Sequence, residues 1–115
     1  MLVITGGTLK GRRFSIPAHW PVRPTTALVR QAVFQRLEDD LPQCRFLDLF
    51  TGSGLMSLEA LSRGAGYALA VDASRDHCSH LIKRAADWQL PLKVVCRRAE
   101  QLLHKPPDQP FDVVY

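Results

Sequence analysis

The spacing of apolar positions changes twice along the chain, and each change marks a different kind of element. From Leu2 to Pro17 (LVITGGTLKGRRFSIP) apolar residues alternate around Gly6 and Gly7, which predicts a β-hairpin with a glycine turn. Pro17, Pro21 and Pro24 around Trp20 then interrupt regular structure and predict a semi-rigid connector. Beyond it Leu28, Val29, Ala32, Val33 and Leu37 recur at helical spacing. They predict a helix capped by Thr25 or Thr26, packed by that face and ended by the acidic turn at 38–40.

From Cys44 onward, short runs that are apolar throughout alternate with helical segments. CRFLDLF, YALAVD, LKVVC and FDVVY predict strands. Between them lie a helix from Leu55 to about Arg63 stopped by Gly64, a helix capped by Ser74, the short turn AEQLL and the loop KPPDQP. Runs without polar alternation belong to parallel strands covered on both faces. The predicted fold class is therefore α/β: an N-terminal β-hairpin and helix followed by a doubly wound, Rossmann-like sheet. Residues 1–24 form the hairpin and proline-rich connector, and 25–115 the sheet domain.

Composition narrows the class without changing this picture. Hydrophobic residues make up 46% and charged residues 23% of 115 residues, a globular balance without repeats. The apolar runs fall short of the roughly 18 residues that a membrane span needs, so a soluble, cytoplasmic protein is expected. Cys44, Cys78 and Cys96 form no CxxC pair, which argues against a zinc site or disulfide framework and for reduced, mostly buried thiols. Fifteen basic residues against 11 acids give a net charge of +4, and the surplus gathers in Lys10, Arg12 and Arg13, then Arg23, Arg30 and Arg36, with Arg97 and Arg98 later. Such clustering favours a polyanionic partner over an ordinary basic surface. His77 and His80 lie one helical turn apart, a spacing more typical of a solvated face than of a metal site. No GxSxG elbow supports hydrolase chemistry. Trp20 and Trp88 fit base stacking or simple packing.

The chemistry concentrates in DLFTGSG, residues 48–54. A phosphate-binding loop would place Lys and Ser or Thr after the last glycine, where the chain has Leu55 and Met56. The dinucleotide fingerprint would need glycine at Ser57 and no carboxylate facing a pyrophosphate. Asp48, at a strand end beside the turn, suits an ammonium or a hydroxyl donor, while Gly52 and Gly54 allow close backbone approach and positive φ. Asp72 ends the next strand 20 residues after Gly52, the spacing at which an acid reaches ribose hydroxyls. Either acid alone reads as a solvated strand end or a helix N-cap. Together with the glycine turn they describe a ligand with a ribose and an ammonium and no phosphate between, which is S-adenosylmethionine.

VITGGTLKGRRFSIP, VRPTTALVRQAVFQRL and FLDLFTGSGLMSLEALSRGA, spanning most of the chain's first half, resemble segments of class I methyltransferases. Almost the whole chain is similar to the bacterial family that methylates a guanine exocyclic amine (guanine-N2) of small-subunit ribosomal RNA. The resemblance implies that 25–115 is the first half of a methyltransferase domain, ending at its fourth strand. It implies that Asp48 and the backbone of Thr51, Gly52, Ser53 and Gly54 hold the methionine end of S-adenosylmethionine. Asp72, with Ala73 beside it, would take the ribose, and Arg98, Ala99 and Glu100 the adenine edge. Thr25 and Arg23 would lie near the cofactor or target base. Lys10, Arg12 and Arg13, with Arg23 and Arg30, would meet phosphates of small-subunit ribosomal RNA, free or in a pre-assembled subunit.

The chain departs from the family at Ala27, where an acid is common, and at Arg98, where a polar amide or acid is common. In the family a DPPY or DPPF tetrapeptide follows the FDVVY strand and holds the target amine. It does not occur within these 115 residues. The expectation is a fragment with no catalytic residue of its own, inactive alone, whose last strand is an exposed apolar edge prone to self-association. The alternatives are a non-catalytic module that binds cofactor or RNA, and a nucleotide-dependent oxidoreductase of similar fold.

Overall fold

The computed structural model describes residues 1–21, 24–104 and 108–115. Arg23, expected near the cofactor or RNA, and the first half of the KPPDQP loop lie outside the described residues. Strands β1 (Leu2–Val3) and β2 (Arg13–Phe14) pair antiparallel, with Leu2 opposite Phe14. Helix α1 (Ala27–Arg36) follows the connector, and the main domain then runs β3 (Arg45–Asp48), α2 (Leu55–Ser62), β4 (Tyr67–Asp72), α3 (Arg75–Asp87), β5 (Leu92–Cys96), α4 (Ala99–His104) and β6 (Val113–Val114). The four strands after the hairpin form one parallel sheet in the order β5-β4-β3-β6. Because β4 and β6 flank β3 on opposite sides, strand order reverses at β3, and ligands of such sheets sit beyond that strand's carboxyl end.

One face of the sheet, with Phe46, Ala68 and Ala70, packs under α1, α2, α3 and the hairpin. The other, with Leu47, Leu69 and Val71, meets Leu102 of α4 and Phe111. Beside α4 this face opens into a groove of ≈ 500 Å³ bounded by Arg45, Tyr67 and Phe111. The expected cover on both faces is thus closed on one and partial on the other. Among the described residues, no helix is long and apolar enough to cross a membrane.

Two local expectations are corrected. Helix α1 is capped by Thr26, whose Oγ1 accepts the Val29 amide; of its expected face Val33 and Leu37 pack against the core, but its buried residues are Arg30 and Phe34, while Leu28 and Val29 are exposed. The helix is rotated because Arg30 reaches Glu59, and an arginine with a buried carboxylate partner can occupy a core-facing position. In the hairpin, Gly6 and Gly7 do more than turn the chain. Gly7 has φ +81°, and a Cβ there would meet the Ser62 carbonyl oxygen at 1.9 Å, so the glycine lets the hairpin lie directly on the end of α2.

Every residue of α2 is buried, as expected for a helix enclosed between sheet and hairpin. Its acid, Glu59, is 0% exposed and fully engaged. It accepts from the Thr5 and Gly6 amides and the Thr5 hydroxyl, and it pairs with Arg30 and Arg63, each at 3.2 Å. Burial alone would raise the Glu59 pKa; the Thr5 amide and hydroxyl, then Arg63 and Arg30, outweigh it and hold the carboxyl below its usual range. Arg30, expected to face RNA phosphates, is 3% exposed and also donates to the carbonyls of Val3 and Thr25. It is a core ion-pair residue, unavailable to a phosphate.

Candidate functional site

The carboxyl ends of β3 and β4 bring Asp48 and Asp72 to the glycine turn from two sides. Gly52 (φ +55°) and Gly54 (φ +84°) give the turn its left-handed steps, and Gly54 starts α2. The missing Cβ of Gly54 faces Leu81 of α3, whose Cδ1 would lie 2.3 Å from it, so this glycine serves close packing of α3 rather than ligand approach. Gly52 and Ser53 line the cavity described below.

Asp48 is 1% exposed. One of its oxygens accepts the Thr51 hydroxyl at 2.7 Å and the Ser57 hydroxyl at 2.8 Å. Burial raises its pKa above the carboxylate range; the Thr51 and Ser57 hydrogen bonds offset this in part, and the Asp72 charge adds to the rise. Among the described residues no cation pairs with it. Ser57, which the dinucleotide fingerprint would replace with glycine, instead ties α2 to Asp48. A hydroxyl on the first turn of a helix that follows an acid and a glycine turn was the available signal.

Asp72 is partly exposed and holds three donors. It accepts the Gly52 amide at 2.9 Å, the Ser74 amide at 2.9 Å and a contact from His77 Nδ1 at 3.2 Å. Its carboxylate therefore joins the turn to the start of α3, whose N-cap Ser74 accepts the His77 amide. His77 and His80 both pack against Trp20, with ring centroids 4.4 and 4.8 Å away, and the Trp20 indole donates to Asp76. The connector is anchored on α3 by this cluster, so the histidines and Trp20 have packing partners.

Two cavities flank Phe50. One, of ≈ 210 Å³, is bounded by Thr25, Asp48, Thr51, Gly52, Ser53 and Tyr115, with Pro24, Leu55 and Met56 completing its wall. The other, of ≈ 260 Å³, is bounded by Leu49, Ala73, Arg97, Arg98, Ala99 and Glu100. Phe50 is 76% exposed and lines both. The structure thus gathers the sequence-predicted residues into two adjoining groups, one at Asp48 and one at Ala73 to Glu100, with Asp72 at the β4 terminus from which Ala73 continues. Sequence reasoning missed Phe50, although a large aromatic between an acid and two glycines is a visible oddity. The Arg98 amide is already taken by the Gln101 side chain at 3.1 Å, which leaves Ala99 and Glu100 as the freer backbone of that wall. Lys10, Arg12 and Arg13 are exposed on the hairpin and stand apart from both cavities.

Comparison with known proteins points the same way. Residues 2–115 match the family described as conserved hypothetical protein 95. The chain is 28% identical over 115 residues to the ribosomal RNA small subunit methyltransferase D of Buchnera aphidicola, covering 99% of this chain and 60% of that protein. It is 40% identical over 83 residues to the Escherichia coli protein of that name, covering 72% of this chain and 42% of the other. The solved structure of the Escherichia coli protein yhhF superposes with a TM-score of 0.88 at 32% identity, over 98% of this chain and 60% of that one. A SAM-dependent methyltransferase from Agrobacterium tumefaciens shares the fold, with a TM-score of 0.61 at 22% identity over 74% of this chain and 30% of that one. The chain spans about 60% of the length of the Buchnera relative.

Proposed function

The chain belongs to the conserved hypothetical protein 95 family, and from that membership we propose that it is the cofactor-holding part of a methyltransferase that uses S-adenosylmethionine to modify a guanine exocyclic amine of small-subunit ribosomal RNA. The names of its relatives support the reaction class. The activity, substrate and partners of the whole protein belong to the proposal, because the chain covers only part of those relatives.

One observation carries the reading: Asp48 is a buried carboxylate at the wall of a cavity, held by hydroxyls and unmatched by any cation of the described chain. A ligand ammonium would supply the missing charge. The turn from Thr51 to Gly54, with Thr25 across the cavity, would enclose the amino-acid end. Asp72, already oriented by Gly52 and Ser74, has lone pairs left for ribose hydroxyls. Ala73, Arg98, Ala99 and Glu100 would wall the adenine.

When bound, S-adenosylmethionine supplies an electrophilic methyl group. This chain's part is to orient it and exclude water, and a target amine would need acceptors to align its lone pair. A DPPY-type motif would provide them and does not occur in these residues, so the 115-residue chain alone is expected to transfer no methyl to ribosomal RNA, naked or assembled. Exposed Lys10, Arg12 and Arg13 support phosphate contacts. The half-exposed edge at Val114 and Tyr115 supports self-association of the isolated chain. A cytoplasmic location follows from the substrate.

Calorimetric titration of the chain with S-adenosylhomocysteine, and separately with NAD, tests the reading. Binding of the first and not the second is expected. A folded chain that binds NAD, or neither ligand, would overturn it.

A further inference from the structure

The arginines and lysines of the described chain differ in whether they have an acid partner. Arg30 and Arg63 both end on Glu59. Arg12, Arg13, Lys83 and Arg84 do not: among the described residues none of these four forms an ion pair. Arg13, Lys83 and Arg84 line one groove of ≈ 350 Å³ between β2 and α3, together with Phe14 and Trp88, and Arg12 stands over the Trp88 ring. His80 and Asp87 also line the groove, and among the described residues Asp87 is the one acid beside its three cations.

Aromatic side chains fix two of these cations in place. The Arg12 guanidinium lies 4.9 Å from the centroid of Trp88, and that of Arg84 lies 4.4 Å from Phe14 and 5.8 Å from Trp88. Phe14 and Trp88 meet edge to face at 5.8 Å, and Arg84 also donates to the Ser15 carbonyl. The hairpin and α3 are joined by a stack of alternating guanidinium and ring. Stacking on rings orients each guanidinium without using its N–H donors, of which Arg84 spends one on Ser15. Holding like charges together is unfavourable until a partner with repeated negative charge binds, and a planar fork matches phosphate oxygens better than a point charge does. Since Arg12 and Arg84 already pack on Trp88, the surface suits backbone phosphates rather than stacked bases.

We propose that Arg12 and Arg13 of the hairpin and Lys83 and Arg84 of α3 form one composite docking surface for the phosphodiester backbone of RNA, with Trp88 as the positioning residue that holds Arg12 and Arg84. The inference rests on the RNA reading above and extends the contact surface from the hairpin onto a helix of the main domain, where sequence clustering gave no sign of it. Lys83 and Arg84 are only two adjacent cations in the sequence; their number matters because the hairpin folds against them.

The test is fluorescence anisotropy of a labelled RNA stem-loop with the 115-residue chain over a series of KCl concentrations. Each phosphate contact removed should lower the slope of log K against log salt by about 0.9 on the duplex scale. Lys83→Ala, an exposed change, is expected to reduce the slope as much as Arg13→Ala does. Trp88→Leu should weaken binding about tenfold and Trp88→Phe, which keeps a ring face, should restore most of it. S-adenosylhomocysteine titration of the same variants should show no change, which separates loss of docking from loss of the cofactor reading. Wild-type slope and affinity in Lys83→Ala beside a loss in Arg13→Ala would confine the surface to the hairpin and overturn the inference. So would equal competition by polyglutamate or by phosphatidylserine vesicles, or no RNA binding by the folded parent chain.

Discussion

Asp48 and Glu59 are both buried carboxylates attached to helix α2, one at its approach and one within it, and the protein treats them in opposite ways. Glu59 receives two guanidiniums, two amides and a hydroxyl. Asp48 receives hydroxyls and, among the described residues, no cation. The consequence is a lowered pKa for the first and a raised one for the second. Where an acid serves the fold, the chain supplies its counter-charge from within. On the function proposed above, Asp48 serves a ligand, its counter-charge is left for that ligand to bring, and the cavity beside Asp48 is where it would come from.

The strongest way to break this contrast is Glu59→Gln. It would leave Arg30 buried without its carboxylate, and a loss of about 3–5 kcal/mol in urea denaturation is expected; a loss below about 1 kcal/mol would mean the pairing is not what holds the hairpin and α1 to α2. Next comes Gly54→Ala, which adds a Cβ at φ +84° against Leu81. The left-handed conformation alone costs about 1–2 kcal/mol. Relief of the clash by Leu81→Ala in the double variant would show that this glycine serves packing. Ser57→Ala removes one hydrogen bond to Asp48 and should cost about 1 kcal/mol, with stability unchanged only if that bond contributes nothing.

The smallest effect is the most diagnostic, because the two acids should respond to pH with opposite signs. Glu59, with its pKa lowered on folding, contributes stability that is present above its unfolded value of about 4.3 and lost as pH falls through its folded value. Asp48, with its pKa raised, contributes stability that is present below about 3.9 and lost as pH rises through its folded value. Denaturation of Asp48→Asn at pH values from about 3.9 upward should therefore show the variant gaining on the parent as pH rises. The parent gaining on the variant instead would contradict the raised pKa.

Much of the fold was legible because its elements are local. YALAVD and LKVVC match β4 and β5 residue for residue, and Ser74 caps α3 as its position suggested. The glycine turn and its two acids were legible for the same reason: their spacing is short and their chemistry unusual. What failed was long-range. Arg30 read as a surface cation because its partner Glu59 is far away in sequence, and with it the packing face of α1 was only half right: Val33 and Leu37 pack as expected, Leu28 and Val29 do not. Gly6 and Gly7 read as turn glycines because nothing local shows that the Ser62 carbonyl lies over one of them. Ser57 read as a missing glycine rather than as a donor to Asp48. In each case the deciding partner comes from another element, and only the folded chain brings it near.

The measurement that bears most directly on the unmatched carboxylate is a binding cycle. The parent chain and Asp48→Asn would each be titrated with S-adenosylhomocysteine and with 5′-methylthioadenosine, which keeps the adenosine but lacks the ammonium. The expected result is a tenfold or greater loss for S-adenosylhomocysteine, about 1.4 kcal/mol or more, with methylthioadenosine unaffected. Equal loss for both ligands, or for neither, would contradict the claim that Asp48 is held for a ligand's positive charge.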